Sequence, residues 1–138
     1  MLSNVLFNRT ALPDIEKSLN VYSLRQKTIS NNIANVLTPG YKALKVNFEE
    51  EYRETLYSTQ MSGALTHEKH FPIGPKTFSQ VHPAIDFKED TLNDSGLNNV
   101  DIDKEMAELA ENMLRYEMST RLVTKKLTLI KSAIRGRA

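Results

Sequence analysis

"IDKEMAELAENMLRYEMSTRLVTKKLTLIKSAI", residues 102–134, decides the fold. Counted from its first residue, the pattern runs Ile102, Met106, Leu109, Met113, Tyr116, Thr120, Val123, Leu127, Ile130 and Ile134, in alternating steps of four and three with Thr120 as the one polar slot. These are the a and d positions of a heptad, the spacing that keeps one stripe of an α-helix turned toward a partner helix. The flanks agree with it. Asp101 suits the N-cap, Asp103 and Glu105 complement the positive end of the helix dipole, Lys131 and Arg135 complement the negative end, and Gly136 suits the stop. The spacing predicts a helix over 101–135.

A stripe of that width needs a partner, and the other end of the chain offers one. Ile15, Leu19, Tyr22, Gln26, Ile29, Ile33 and Val36 follow the same steps with Gln26 as the polar exception, which predicts a helix over 10–37. Thr10 is the expected cap, Pro13 is tolerated in the first turn, and Asp14 and Glu16 sit near the positive end. The fold expected is mainly α, with the two terminal helices paired as an antiparallel coiled-coil hairpin around an irregular, partly β middle. Its seam would set Ile15, Leu19, Tyr22, Ile29, Ile33 and Val36 against Ile102, Met106, Leu109, Met113, Tyr116 and Val123. Laying Val36 beside Ile102 brings Ile15 near Val123, so Leu127, Ile130 and Ile134 overhang. A second apolar row, Leu114, Met118, Leu122, Leu129 and Ala133, lies off this seam, and one partner cannot cover both faces. Four large side chains left in water would forgo several kcal/mol, comparable to the whole stability of a small domain. The second row and the overhang are therefore expected to form an assembly surface.

Between the helices, Thr38-Pro39-Gly40-Tyr41 has the residues of a type II turn, with proline fixing φ at the second position and glycine supplying a positive φ at the third. Leu44, Val46 and Phe48 alternate as in a short strand, and a charged stretch around Tyr52 and Leu56 suits a short helix, so 38–57 reads as turn, strand and helix. Residues 58–99 are rich in proline and glycine and offer one strand, around 78–87 and interrupted by Pro83; an extended excursion is expected there. Asn31, Asn32 and Asn35 run against helix propensity, and their amides offer donors and acceptors to backbone groups freed near the helix end or to a neighbouring chain.

Composition excludes several classes of function. The 18 basic and 17 acidic residues nearly cancel, so no strong field draws the chain to nucleic acid or to an anionic membrane. The absence of cysteine rules out a disulfide framework, a thiolate zinc site and a cysteine nucleophile. No basic leader precedes a long apolar run, and nowhere do about 18 apolar residues follow one another, so neither a Sec-type signal nor a membrane span is expected. His67 and His70 stand three apart in a Pro/Gly-rich stretch, not four apart on one helix face, and with His82 are read as solvated loop residues, not metal ligands. The run Glu49-Glu50-Glu51 reads as a solvated face. Lys125, Lys126, Lys131, Arg135 and Arg137 read as complements to a helix dipole and to acidic neighbours. No catalytic residue, cofactor site or metal site is expected.

"NNIANVLTPGYK", residues 31–42, resembles the asparagine-rich signature of the bacterial flagellar rod, hook and hook-filament junction family, carried here by Asn31, Asn32, Asn35, Thr38, Pro39, Gly40 and Tyr41. "NNVDIDKEMAELAENMLRYE", residues 98–117, and the terminal "AIRGR" are similar to the proximal-rod branch of the B type. The resemblance implies a single rod-type unit over 1–138 and a structural, non-enzymatic subunit of the basal-body proximal rod, part of the drive shaft and export channel. It implies passage through the flagellar type III export apparatus without a cleaved signal peptide. It also implies contacts with further copies, with other rod subunits and with the adaptor joining the rod to the membrane ring. The alternative from another class is a soluble helical-hairpin chaperone or adaptor that binds one helical client.

Overall fold

The computed structural model describes residues 11–57, 81–88 and 98–136. Five elements follow one another: helix α1 (Leu12–Ala34), strand β1 (Leu44–Asn47), helix α2 (Glu49–Tyr57), strand β2 (Ala84–Phe87) and helix α3 (Ile102–Arg135). The chain divides into two compact units, one of residues 1–45 with 87–138 and the other of residues 46–86.

The first unit holds the two long helices, packed on each other as an antiparallel hairpin. Asn32 of α1 meets Glu105 of α3, and Gln26 meets Asn112, the antiparallel order of the sequence register. Ile15, Val21, Ile29 and Ala43 are its buried apolar residues. Proline in the first turn and Asp14 open α1, whose preceding residue, Ala11, makes no side-chain cap; Thr10 lies outside the described residues. The helix closes at Ala34, before the expected 37, where the bonding tightens from four residues back to three: the Val36 N–H reaches the Ile33 carbonyl (3.3 Å) and the Thr38 N–H the Asn35 carbonyl (3.0 Å). The chain then reverses through a turn closed by Tyr41 N–H to the Thr38 carbonyl (3.3 Å), with Gly40 at φ 74°. At the far side Asp101 caps α3, its carboxylate accepting from the N–H groups of Asp103 (3.0 Å) and Lys104 (3.2 Å), and Gly136 ends it at φ 64°. Those backbone bonds, first from Lys104, hold the Asp101 carboxyl below its ordinary value.

The second unit buries Val46, Phe48 and Val81. Phe48 stacks on Tyr52 of α2, ring centres 5.9 Å apart. β1 and β2 pair as a two-stranded antiparallel sheet, and the Asn47 amide donates to the Asp86 carboxylate. β2 begins only after Pro83, which has no N–H to give a ladder. Most of the expected 58–99 excursion falls outside the described residues.

The positive φ of Gly40 fixes a testable cost. A Cβ there would meet no atom within 4 Å, so Gly40→Ala pays only the backbone penalty of the left-handed region, about 1–2 kcal/mol, read as a lower urea midpoint with an unchanged slope.

Candidate functional site

The closed end of the hairpin is built on one side chain. Asn32 is fully buried, and its amide makes four hydrogen bonds, the most an amide can make. Its Nδ2 donates to the Leu44 carbonyl (2.8 Å) and to Glu105 Oε2 (3.1 Å); its Oδ1 accepts from the Leu44 N–H (3.0 Å) and the Tyr41 hydroxyl (3.1 Å). The pair of bonds to Leu44 mimics a strand neighbour. Burial first, and then the negative charge of Glu105, holds the Tyr41 hydroxyl above its ordinary value, so it remains a donor at any physiological pH.

Glu105, 1% exposed, is the largest fully buried side chain of the described residues. A buried carboxylate requires partners, and Lys88, just beyond β2, supplies the charge: its Nζ lies 2.7 Å from Glu105 Oε1 and 2.8 and 2.9 Å from the two oxygens of Glu108. Burial pulls the Lys88 ammonium down, but the hydrogen bonds and charges of Glu105 and Glu108 outweigh it and raise the net value. Two further asparagines close the frame. Asn99 accepts from the Ala43 N–H (2.6 Å) and donates to the Lys88 carbonyl (3.1 Å). Asn98 donates to the carbonyls of Asn35, Val36 and Thr38 (2.9, 2.9 and 3.0 Å), gathering backbone acceptors just past the end of α1.

Of the asparagines singled out in the sequence, Asn32 is the hub, Asn35 donates to the Asn31 carbonyl and accepts from the Thr38 hydroxyl, and Asn31 is exposed. Pro39 and Gly40 are exposed at the turn. The sequence places Glu105 only as a complement to the helix dipole and gives Lys88, Asn98, Asn99 and Asn112 no individual role, whereas here Glu105 is buried. The available signal was the rule applied to residues 31–35, that asparagine inside or beside a helix needs a polar reason.

Along the helices the inward face of α3 differs from the expected stripe. Glu105 and Asn112 are buried there, with Glu108, Leu109, Ser119, Val123 and Ile130 half-buried. Ile102, Met106, Met113 and Tyr116, expected in the seam, are exposed, because bringing Glu105 and Asn112 inward rotates them out. On α1, Ile15 and Ile29 are buried and Leu19, Tyr22, Ile33 and Val36 half-buried. Leu114, Met118, Leu122, Leu127, Leu129 and Ile134 are exposed, Met118 by 73%. α3 thus carries exposed apolar residues on two flanks, one through Met106 and Met113 and one through Leu114, Met118 and Leu122. His82 is exposed; His67, His70 and Arg137 lie outside the described residues. No helix among the described residues is long and apolar enough to cross a membrane.

Known proteins give this geometry a context. A family model described as "Flagella basal body rod protein" matches residues 17–42, the stretch that runs from α1 through Asn32 and the turn. A flagellar basal body rod protein FlgB of Bacillus subtilis (strain 168) is 33% identical over 131 residues, covering 95% of this chain and 97% of its own. FlgB of Borreliella burgdorferi is 38% identical over 109 residues (74% and 78%), and FlgB of Salmonella typhimurium is 27% identical over 128 residues (88% and 90%).

Two substitutions test the hub. Asn32→Asp removes both donors and sets a carboxylate against the Leu44 carbonyl and Glu105, and is expected to cost about 3–5 kcal/mol near neutral pH by chemical denaturation. The new carboxyl would have a raised folded-state value, so stability should be greatest in acid and fall as the pH rises through that value. Lys88→Met leaves Glu105 unpaired and should destabilise strongly, with partial rescue by adding Glu105→Gln. Because the folded-state value of Lys88 is raised, the stabilisation it gives is whole at neutral pH and lost only as pH climbs past the ordinary lysine range, a limb that Lys88→Met should flatten.

Proposed function

The chain belongs to the flagellar basal body rod protein family and is a structural subunit of that rod, and from this premise we propose that it is a proximal-rod subunit assembling through the exposed flanks of α3. The observation that carries the reading is an inversion on one helix. The side of α3 that faces α1 holds a buried glutamate and a buried asparagine, while Met113, Leu114, Met118, Leu122 and Leu129 point to water. A helix arranged this way has most of its apolar area still to bury. Neighbouring subunits would cover it, and the free energy of burial, roughly 25 cal/mol per Å², would appear only on assembly.

In that state the hairpin of α1 and α3 works as an antiparallel coiled coil locked at one end by the Asn32–Glu105–Lys88 network. The polar lock orients α3 about its axis, and so decides which side chains meet a neighbour. The contacts proposed are further copies, other rod subunits and the adaptor to the membrane ring, reached through the flagellar type III export apparatus without a cleaved signal. A loosely held hairpin suits passage through a narrow channel, since two paired helices with little apolar seam are marginal alone. The family does not favour the single-client hairpin adaptor.

Leu114→Asp or Leu122→Asp places a charge on the exposed flank without touching the seam. Each is expected to abolish swimming on soft agar while the chain is still made and exported; normal motility in both would refute the assembly surface. Circular dichroism of the isolated chain should show less helix than the same chain after association.

A further inference from the structure

Leu37 is 90% exposed, the most exposed of the large apolar side chains in the described residues, and it is held out by its neighbours. The Asn98 amide grips the carbonyls of Asn35 and Val36 on one side of it and of Thr38 on the other, and the Thr38 N–H bonds the Asn35 carbonyl (3.0 Å). The backbone at Leu37 is fixed on both flanks while its side chain touches little. A side chain ordered in advance loses less freedom on docking.

A receptor for such a knob lies on the same hairpin. Tyr22, Ser23 and Gln26 of α1 and Asn112, Met113 and Tyr116 of α3 line a groove of about 410 Å³, larger than one leucine side chain. Its walls are mainly apolar, two tyrosine rings and a methionine, and among the described residues Asn112 Oδ1 is a buried acceptor with no partner, a sign that packing at this level of the hairpin is incomplete. Knob and groove are roughly three helical turns apart along the hairpin, so one molecule cannot satisfy itself. An apolar projection and a complementary pocket at different places on one surface make a head-to-tail contact that leaves a free knob and a free groove at the two ends.

We propose that Leu37 of one copy docks in the Tyr22–Gln26–Met113–Tyr116 groove of the next copy, a contact that propagates in one direction. It rests on the reading that copies of this chain meet in the rod, and adds which surfaces meet. Polarity follows from it: the turn of each copy points along the same direction of the assembly.

The chain has no cysteine, so a designed pair reports without background. Leu37→Cys and Ser23→Cys, both at exposed positions, are combined in the full chain as the sole copy in a swimming strain, and purified basal bodies are mildly oxidised. A ladder of disulfide-linked multimers, absent from either single variant, is the expected result, together with at least a tenfold loss of swimming rate in Leu37→Asp and near-normal swimming in Leu37→Met. Basal bodies that hold the double variant but yield no linked chains would overturn the docking and leave the rod role intact. A dimer band alone would overturn the propagating contact in favour of a closed pair. Absence of the chain from basal bodies would overturn the rod reading and the docking with it.

Discussion

A single buried amide is the constraint from which the rest of the hairpin follows. Asn32 presents two donors and two lone pairs, and each is used: on the backbone of Leu44, on Tyr41, and on Glu105. Aspartate lacks the donors and leucine would strand the Leu44 N–H and carbonyl. Glutamine has the atoms but places them one methylene further out. Once Glu105 is drawn in to meet that amide its charge is almost wholly out of water, and Lys88 must follow; once Lys88 follows, Asn99 ties its carbonyl to Ala43. Networks of this kind are poor sources of net stability, since desolvation of the ions consumes most of what pairing returns. Their effect is specificity: a slip of α3 by one turn, or its rotation by one residue, leaves a buried charge unpaired.

Much of this architecture is legible in the chain, for identifiable reasons. Heptad spacing locates both long helices because periodicity survives single polar interruptions, and Asp101, Gly136 and Thr38-Pro39-Gly40 mark the ends and the turn by chemistry that acts locally. The rotation of α3 is not legible from spacing alone. Glu105, Leu109, Asn112, Ser119, Val123 and Ile130 also recur at helical spacings of three, four and seven, beside the stripe through Ile102, Met106 and Met113, but a count of apolar residues prefers the greasier of two neighbouring stripes. Which stripe turns inward is decided by Asn32, seventy-three positions away in sequence from Glu105. Because α3 is greasy on several sides, hydrophobicity by itself cannot say which side its own chain covers.

The same rotation explains why the two helices are so unlike. α1 spends its apolar residues on the hairpin: Ile15, Val21 and Ile29 are buried, and its exposed positions include Asp14, Glu16, Asn20, Lys27, Ser30 and Asn31. α3 spends polar residues on the hairpin and keeps apolar ones outside. Contact between copies through α3 against the outer face of α1 would set methionine and leucine on charged and amide side chains and leave both poorly satisfied. Burial is more favourable where α3 meets another apolar surface.

The hairpin is also graded along its length. At the closed end, side chains from three stretches of chain cross-brace one another through Asn32, Asn98, Asn99, Lys88 and Glu105. Past Asn112, α3 makes bonds within its own helix: Arg115 to Glu111, Arg121 to Glu117, and the hydroxyls of Thr120, Thr124 and Thr128 to carbonyls one turn back. Threonine hydroxyls bonded in this way bend helices slightly and at low cost. A neighbour can therefore adjust the distal turns of α3 without disturbing the lock that orients it. Fixed orientation at one end and fewer cross-braces at the other would let one sequence meet neighbours whose surfaces are not identical.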